Sequence, residues 1–190
     1  MSRFISKRGI RLQYLLKTQP NRSWNYGAYG LSMNPEVTPA FVNANLDRPW
    51  DWGNFGLSRN SSITPEFVKM HESKFWWGRG GLSMNPGITM GFVHANLKKS
   101  WYFGEYGLSS NPNIKIWFIK KHEDKDWNWG KYGLSSNPGI NPALVMENLD
   151  KPWCWASLSI NPGIPIWFVG ANPELPWCWD SGLSRRTEKR

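Results

Sequence analysis

Serine is the candidate nucleophile that the sequence repeats most regularly, in seven Leu-Ser pairs. The serines are Ser32, Ser58, Ser83, Ser109, Ser135, Ser159 and Ser184. A serine nucleophile needs a base beside it, and no base accompanies each pair. In six pairs an Asn follows two residues after the serine, as Asn137 follows Ser135. Because buried polar groups need partners, we predict that these serines and asparagines form a hydrogen-bonded ladder between successive units.

Histidine and cysteine are too widely spaced to predict a metal site or a disulfide. His71 and His122 occupy one repeat position two units apart, which is roughly 16–20 Å at about 8–10 Å per packed unit. A shared metal needs ligands within about 2 Å of the ion. Cys154 and Cys178 stand at equivalent positions in adjacent units, beyond the Cα separation of about 7 Å that a disulfide tolerates. We therefore predict that His71 and His122 lie at helix ends and that none of the three histidines, including His94, binds a metal. We also predict that the two cysteines are free thiols.

Other signatures of enzymes and membrane proteins are also missing from the sequence. Gly-x-x-Gly pieces such as Gly53 and Gly56 recur without the Lys-Ser/Thr of a nucleotide site. No apolar run approaches the roughly 20 residues of a membrane span, and residues 1–20 do not resemble a secretory signal. We predict a soluble intracellular protein that is not an enzyme, with no catalytic residue, cofactor, metal or membrane partner.

An internal repeat of 24–26 residues positions all of these residues, and residues 127–150 are a representative copy. A fixed period of this length is typical of a stacked array in which each unit packs on its neighbours. Units begin near residues 24, 50, 75, 101, 127, 153 and 177. We predict a degenerate half-repeat over 1–23 with a capping helix over 10–18, a repeat array over 24–184, and a basic tail over 185–190.

Two aromatic columns run through the array, where a column means the residues at one repeat position in successive units. The first is Trp24, Trp50, Phe75, Trp101, Trp127, Trp153 and Trp177. The second, two residues later, is Tyr26, Trp52, Trp77, Phe103, Trp129, Trp155 and Trp179. These columns contain all but three of the 14 tryptophans. We predict that they are buried between successive units and hold the array together.

The second half of each unit carries the signals of a short helix. Thr38, Thr64 and Asn141 each precede a proline, the arrangement of an N-cap followed by the first helical residue. The first half is predicted to be a second short helix through the aromatic pair to Leu-Ser, although glycines interrupt it in five units. The fold predicted is an all-α α-solenoid of about seven helix-turn-helix repeats. An all-β repeat array is the alternative, and proline at the segment starts disfavours it.

Residues 153–164, WCWASLSINPGI, carry a family resemblance. The string resembles the tryptophan-rich W-x-W-x-x-L-S-x-N-P-x-I repeat of giant amoebal DNA viruses of the mimivirus type, and the likeness covers residues 24–184. Five units differ from it by a two-residue insertion that contains glycine. The resemblance implies a viral, intracellular protein, in the host cytoplasm, the virus factory or the virion, that acts as a repeat scaffold without catalytic residues.

The variable columns are the candidate contact surface for a partner. We predict a scaffold that binds another protein, viral or host, through exposed aromatic and basic side chains, and that can also associate end to end. The candidates are Trp76, Trp117, Trp167, Arg59, Arg79 and Lys131. Interfaces favour such residue types. Local gap-filling is the structural alternative for Trp117 and Trp167.

Nucleic acid is the alternative partner, suggested by a net charge of +9. The excess charge lies at the two ends, however, since residues 24–182 hold equal numbers of basic and acidic side chains. In this alternative, aromatic rings stack on bases and basic ends hold phosphates. The candidate phosphate contacts are Arg3, Lys7, Arg8, Arg11, Arg185 and Arg186.

Overall fold

The protein is helical in the computed structural model, which describes residues 7–180 and 182–185. The described residues contain no β-strand, so the all-β alternative is wrong. No helix among them is long and apolar enough to cross a membrane. The α-helices are α1 (Lys7–Thr18), α2 (Pro39–Asn43), α3 (Pro65–Met70), α4 (Met90–Ala95), α5 (Ile116–Lys121), α6 (Pro142–Met146), α7 (Trp155–Ile160) and α8 (Ile166–Ala171).

Helices α2 to α6 and α8 form the second halves of the units, and α2, α3 and α6 begin at the prolines where the sequence predicts. The Thr64 hydroxyl accepts the N–H of Phe67 at 3.3 Å, and the Asn141 side chain accepts the N–H of Leu144 at 3.0 Å. Such caps satisfy amide groups that have no partner inside the helix. His71 and His122 directly follow α3 and α5, so the predicted helix ends are confirmed.

The first halves differ from the prediction, because most of them are single 3-10 turns and not helices. The turns are Leu31–Met33, Leu57–Arg59, Leu82–Met84, Leu108–Ser110, Leu134–Ser136 and Leu183–Arg185. In the five units with inserted glycines the chain folds back before the turn, and Leu134 N–H donates to Asn128 O at 2.8 Å. This bond takes an amide that a helix would have used. The sixth unit lacks the insertion and forms α7.

Glycine is required where this fold-back brings backbone atoms together. A Cβ built on Gly107 would lie 2.1 Å from the carbonyl oxygen of Tyr102, whereas one built on Gly170 in α8 meets nothing within 4 Å.

We expect Gly107→Ala to destabilise the protein by at least about 2 kcal/mol, since its Cβ overlaps backbone. We expect Gly170→Ala to stabilise it by about 0.5–1 kcal/mol, because alanine favours helix. Urea denaturation of both variants measures whether each change in the free energy of unfolding has the expected sign. Destabilisation by Gly170→Ala would contradict the prediction.

The first aromatic column is buried between units from Trp50 onward, as predicted, but the second column is only half-buried. Its last member, Trp179, is 53% exposed, so the prediction of burial is wrong for that residue. First-column rings from Trp50 to Trp177 are 5–8% exposed. Each meets the second-column ring of the preceding unit edge-on, with centroids 4.9–5.2 Å apart. Edge-to-face contact is a favourable geometry for aromatic pairs. The pairs are Tyr26–Trp50, Trp52–Phe75, Trp77–Trp101, Phe103–Trp127, Trp129–Trp153 and Trp155–Trp177.

The predicted serine and asparagine ladder is confirmed. Ser109 Oγ donates to Phe103 O in its own unit at 2.5 Å and accepts the N–H of Asn128 in the next unit at 2.9 Å. Asn137 Nδ2 donates back to Ser109 O at 3.0 Å and to Asn111 O at 2.8 Å. The same bonds recur in neighbouring units, and these side chains are 0–2% exposed from Ser58 to Asn161, whereas Ser184 is exposed. Their polar atoms therefore join units, and are not free for catalysis.

Helix α1 lies against the first unit and contains residues 10–18, where a capping helix is predicted, but it begins three residues earlier. Leu16 of α1 is 7% exposed and belongs to the hydrophobic core. The indole N–H of Trp24 donates to Gln19 O at 2.9 Å, directly after the helix. The helix thus covers one end of the aromatic columns. The predicted basic tail lies outside the described residues apart from Arg185, which ends the last 3-10 turn.

Candidate interaction surface

Trp117 and Trp167 occupy one repeat position in α5 and α8, and both are exposed, at 48% and 67%. The ring of Trp117 meets Phe118 at 5.5 Å and His94 of the preceding unit at 5.9 Å. Trp167 meets Phe168 at 6.0 Å and follows the exposed Ile166. Neither indole fills a gap in the core. Exposed tryptophan is enriched among the residues that dominate binding at interfaces, so this position is a candidate for contact.

Trp76 is also exposed, at 53%, but its surroundings indicate a local structural role. Its indole N–H donates to Arg79 O at 3.0 Å, which closes the glycine loop of its own unit. A Cβ built on Gly81 would lie 2.6 Å from Trp76 Cδ1, so the ring lies directly on that loop. Trp76 is therefore the weakest of the three aromatic candidates.

A third aromatic column, absent from the sequence prediction, lies on the glycine loops. Tyr29 stacks on Phe55 with centroids 4.7 Å apart, and Tyr106 stacks on Tyr132 at 5.5 Å. The third unit has Gly80 at this position. The signal was present in the sequence, because an aromatic residue recurs three places after the second column in four of the five units with inserted glycines.

The basic candidates Arg79 and Lys131 border this third column. The Arg79 guanidinium lies 5.3 Å from the Tyr106 ring centre and 3.6 Å from the Glu105 carboxylate. The Lys131 ammonium lies 5.2 Å from the Tyr132 ring centre. Cation–π contacts at exposed sites contribute about 0.5–1 kcal/mol each. These contacts hold the two cations against the rings.

A groove of about 270 Å³ connects this column with another variable position. Met84, Tyr106, Ser110, Lys131 and Tyr132 are among its lining residues. Met84 and Ser110 follow the Leu-Ser pairs of the third and fourth units. Arg59, the equivalent residue of the second unit, is half-buried at the end of its 3-10 turn. The glycine loops and the turns thus form one variable surface, and Trp117 and Trp167 belong to the second helices.

The described surface gives little support to a phosphate-binding groove. A larger groove of about 770 Å³ between α5 and α6 has three lysines and three carboxylates in its walls, so its charges balance. Lys7, Arg8 and Arg11 belong to α1, and Arg185 ends the last turn. Arg3 and Arg186 lie outside the described residues.

The histidines and cysteines do not form a metal centre in the described part of the chain. No group of three or more His, Cys, Asp or Glu side chains is close enough there to hold an ion. No disulfide connects Cys154 to Cys178. One contact was missed by the sequence prediction, which compared only equivalent positions: His94 Nδ1 lies 3.3 Å from His122 Nε2.

Comparison with known protein families, with curated proteins and with solved structures finds no match to this chain. The likeness to tryptophan-rich repeats of giant viruses therefore stays a prediction. In the described residues most of the repeating positions are buried, whereas Trp117 and Trp167 are exposed at a position that varies between units.

Proposed function

We propose that this chain is an α-solenoid scaffold without enzymatic activity, which binds another protein through its variable surface. The observation that carries the proposal is the exposure of Trp117 and Trp167, at 48% and 67%, at a position that holds small or polar residues in the other units. Tryptophan is enriched among residues that dominate binding energy at interfaces. The partner is a viral or host protein in this proposal, and the location is the cytoplasm, virus factory or virion.

The serine and asparagine columns join units and the variable columns lie at the surface, and this arrangement supports a scaffold rather than an enzyme. Ser109 and Asn137 use their polar atoms in bonds between units, so they are occupied by structure. Units joined in this way can present different side chains at equivalent surface points, as solenoids do when they bind extended partners. End-to-end association of copies is a further element of the proposal.

We expect the double variant Trp117→Ala/Trp167→Ala to lose at least about tenfold in affinity for a protein partner, since truncating a central aromatic anchor costs 2 kcal/mol or more. Its melting temperature should stay close to that of the wild type. Partners are recovered by affinity capture from infected amoebae, identified, and titrated against both proteins. The matched control is Trp76→Ala, which removes an exposed indole from a glycine loop. Equal affinity of wild type and double variant would contradict the proposal.

Nucleic acid is the second candidate partner, and the stacked pair Tyr106–Tyr132 beside Arg79 and Lys131 favours it. Aromatic rings next to cations suit stacking on bases. Titration with single-stranded and duplex nucleic acid at several salt concentrations separates the two candidates. Steep salt dependence that survives removal of residues 1–23 and 183–190 would favour this function over the scaffold. Binding lost with those ends would leave only a non-specific contact.

A further inference from the structure

Three side chains form a polar contact between the third and fourth units. Nδ1 of His94 in α4 lies 3.3 Å from Nε2 of His122, which directly follows α5. The Lys121 ammonium lies 3.4 Å from the other ring nitrogen of His94, Nε2. His122 is 8% exposed, so water does not readily replace its contact with His94, whereas the contact between Lys121 and His94 is exposed.

The donors and acceptors of this contact can be assigned from chemistry. A lysine ammonium only donates, so the Nε2 atom of His94 that faces Lys121 is an acceptor. Neutral His94 then carries its proton on Nδ1 and donates it to Nε2 of His122. His122 in turn keeps its proton on Nδ1. The chain of hydrogen bonds has a single direction, from Lys121 through His94 to His122.

We propose that Lys121, His94 and His122 form an acid-sensitive joint between two repeat units, which neutral imidazoles hold closed and a proton opens. A proton added to His94 occupies Nε2 and faces the ammonium. A proton added to His122 occupies Nε2 and faces the N–H of His94. If His94 moves its own proton to Nε2 to avoid this, the conflict shifts to Lys121. Every protonated state places two donors opposite each other.

Most of the groups around His122 disfavour its protonated form. Burial lowers the pKa of His122, and the charge that His94 carries when protonated lowers it further, as do the charges of Lys121 and Lys125, while Asp124 raises it. The Asp124 carboxylate is itself bonded to the Lys125 ammonium at 2.8 Å. The surroundings therefore favour the neutral ring.

The groups around His94 offer no compensating carboxylate among the described contacts. Lys98 and Lys99 line the same groove of about 450 Å³ as His94. Lys99 is paired with Glu72 at 2.7 Å, and the remaining ring neighbours of His94 are Trp117 and Phe118. A proton on His94 thus meets positive or uncharged neighbours.

The chain contains its own control at the same two repeat positions two joints earlier. Between the first and second units, His71 Nε2 lies 2.8 Å from Oδ1 of Asn43. Burial, followed by the charge of Lys74, lowers the pKa of His71 as well. A protonated His71 can still donate to the Asn43 oxygen, however, so this contact survives acid. The substitution His94→Asn would convert the third joint into a copy of the first.

The sign of the pH dependence follows from linkage. The folded protein holds His122 at a pKa below its ordinary value of about 6.5. The unfolded chain therefore takes up a proton first as the pH falls. Stability from the neutral joint is complete above about pH 6.5 and decreases as the pH falls below that value.

The experiment compares melting temperatures from pH 7.5 to pH 5, in the presence of a chelator, for the wild type, His94→Asn and Lys121→Met. We expect the wild type to lose about 2–4 °C more than either variant over this range. Nitrogen-15 NMR of the wild type should show His94 protonated on Nδ1 at pH 7.5, and this readout stands even if a variant fails to fold. Equal losses in all three proteins, or a His94 proton on Nε2, would overturn the proposal.

Discussion

Asn111→Ala is expected to lower the free energy of unfolding by about 2–4 kcal/mol, because it removes two buried hydrogen bonds and one partly buried hydrogen bond at once. The Asn111 side chain donates to Ser83 O at 3.1 Å and to Asn85 O at 3.0 Å in the preceding unit. It also accepts the N–H of Asn113 at 2.9 Å. Alanine leaves the Ser83 carbonyl without this donor and opens a cavity in a fully buried position. Urea unfolding followed by tryptophan fluorescence measures the loss.

Asn34 provides the matched control, because it occupies the same column in the first unit. Its Oδ1 atom accepts the N–H of Glu36 at 2.8 Å, and its amide group donates to no carbonyl among the described contacts. Asn34→Ala therefore removes one hydrogen bond within its own unit and should lower the free energy of unfolding by about 1 kcal/mol or less. Hydrogen exchange should localise the loss in Asn111→Ala to the third and fourth units. Equal destabilisation by the two substitutions would show that the bonds between units contribute nothing.

Burial in the array could be predicted from the sequence, because the seven copies of one unit can be aligned and compared position by position. A residue type that returns at one position while its neighbours change is under the same packing constraint in every copy. Leu108 and Ile114 belong to such columns, and both are fully buried. The ladder followed from the same reasoning, since repeated serine and asparagine in a stack need repeated partners.

The local structure of the first halves could not be predicted, because it depends on a contact between backbone atoms. Helix propensity treats a glycine as a modest penalty. In this chain Gly133 instead permits a fold-back in which a Cβ would lie 2.0 Å from Asn128 O. Leu134 N–H then bonds to that same carbonyl. Tertiary closure of the loop therefore replaces the helix in the five units with the insertion. Of the two shorter units, the sixth forms α7 and the seventh forms a 3-10 turn.

The contact between His94 and His122 was missed for a geometric reason. Equivalent atoms of packed units are about 8–10 Å apart, so a comparison within one column suggests that no two histidines touch. The contact joins two different columns, 28 residues apart in sequence. Because the backbone offset between columns is set by packing, repeat spacing alone does not reveal it. The pairing of Asn43 with His71 at the same separation shows that this offset recurs.

Trp101→Ala is expected to destabilise the protein by about 3–5 kcal/mol, the cost of deleting a large buried aromatic side chain. Trp101 is 8% exposed and meets Trp77 of the preceding unit edge-on at 5.0 Å. Its indole N–H also donates to Asn96 O at 2.9 Å, at the end of α4. One side chain thus joins the aromatic columns to the helix before it. Urea denaturation measures the change, with hydrogen exchange on both sides of the deleted ring.

Trp101→Phe separates the contribution of the ring from that of the indole N–H, since Phe75 occupies this column naturally and is 6% exposed. We expect it to cost about 1–2 kcal/mol, from one lost hydrogen bond and a small cavity. Trp167→Ala, an exposed tryptophan, should change stability by less than about 0.5 kcal/mol. Burial between units therefore predicts that the loss of stability is largest for Trp101→Ala, smaller for Trp101→Phe and smallest for Trp167→Ala. If Trp101→Ala cost no more than Trp167→Ala, aromatic packing between units could not be what stabilises the array.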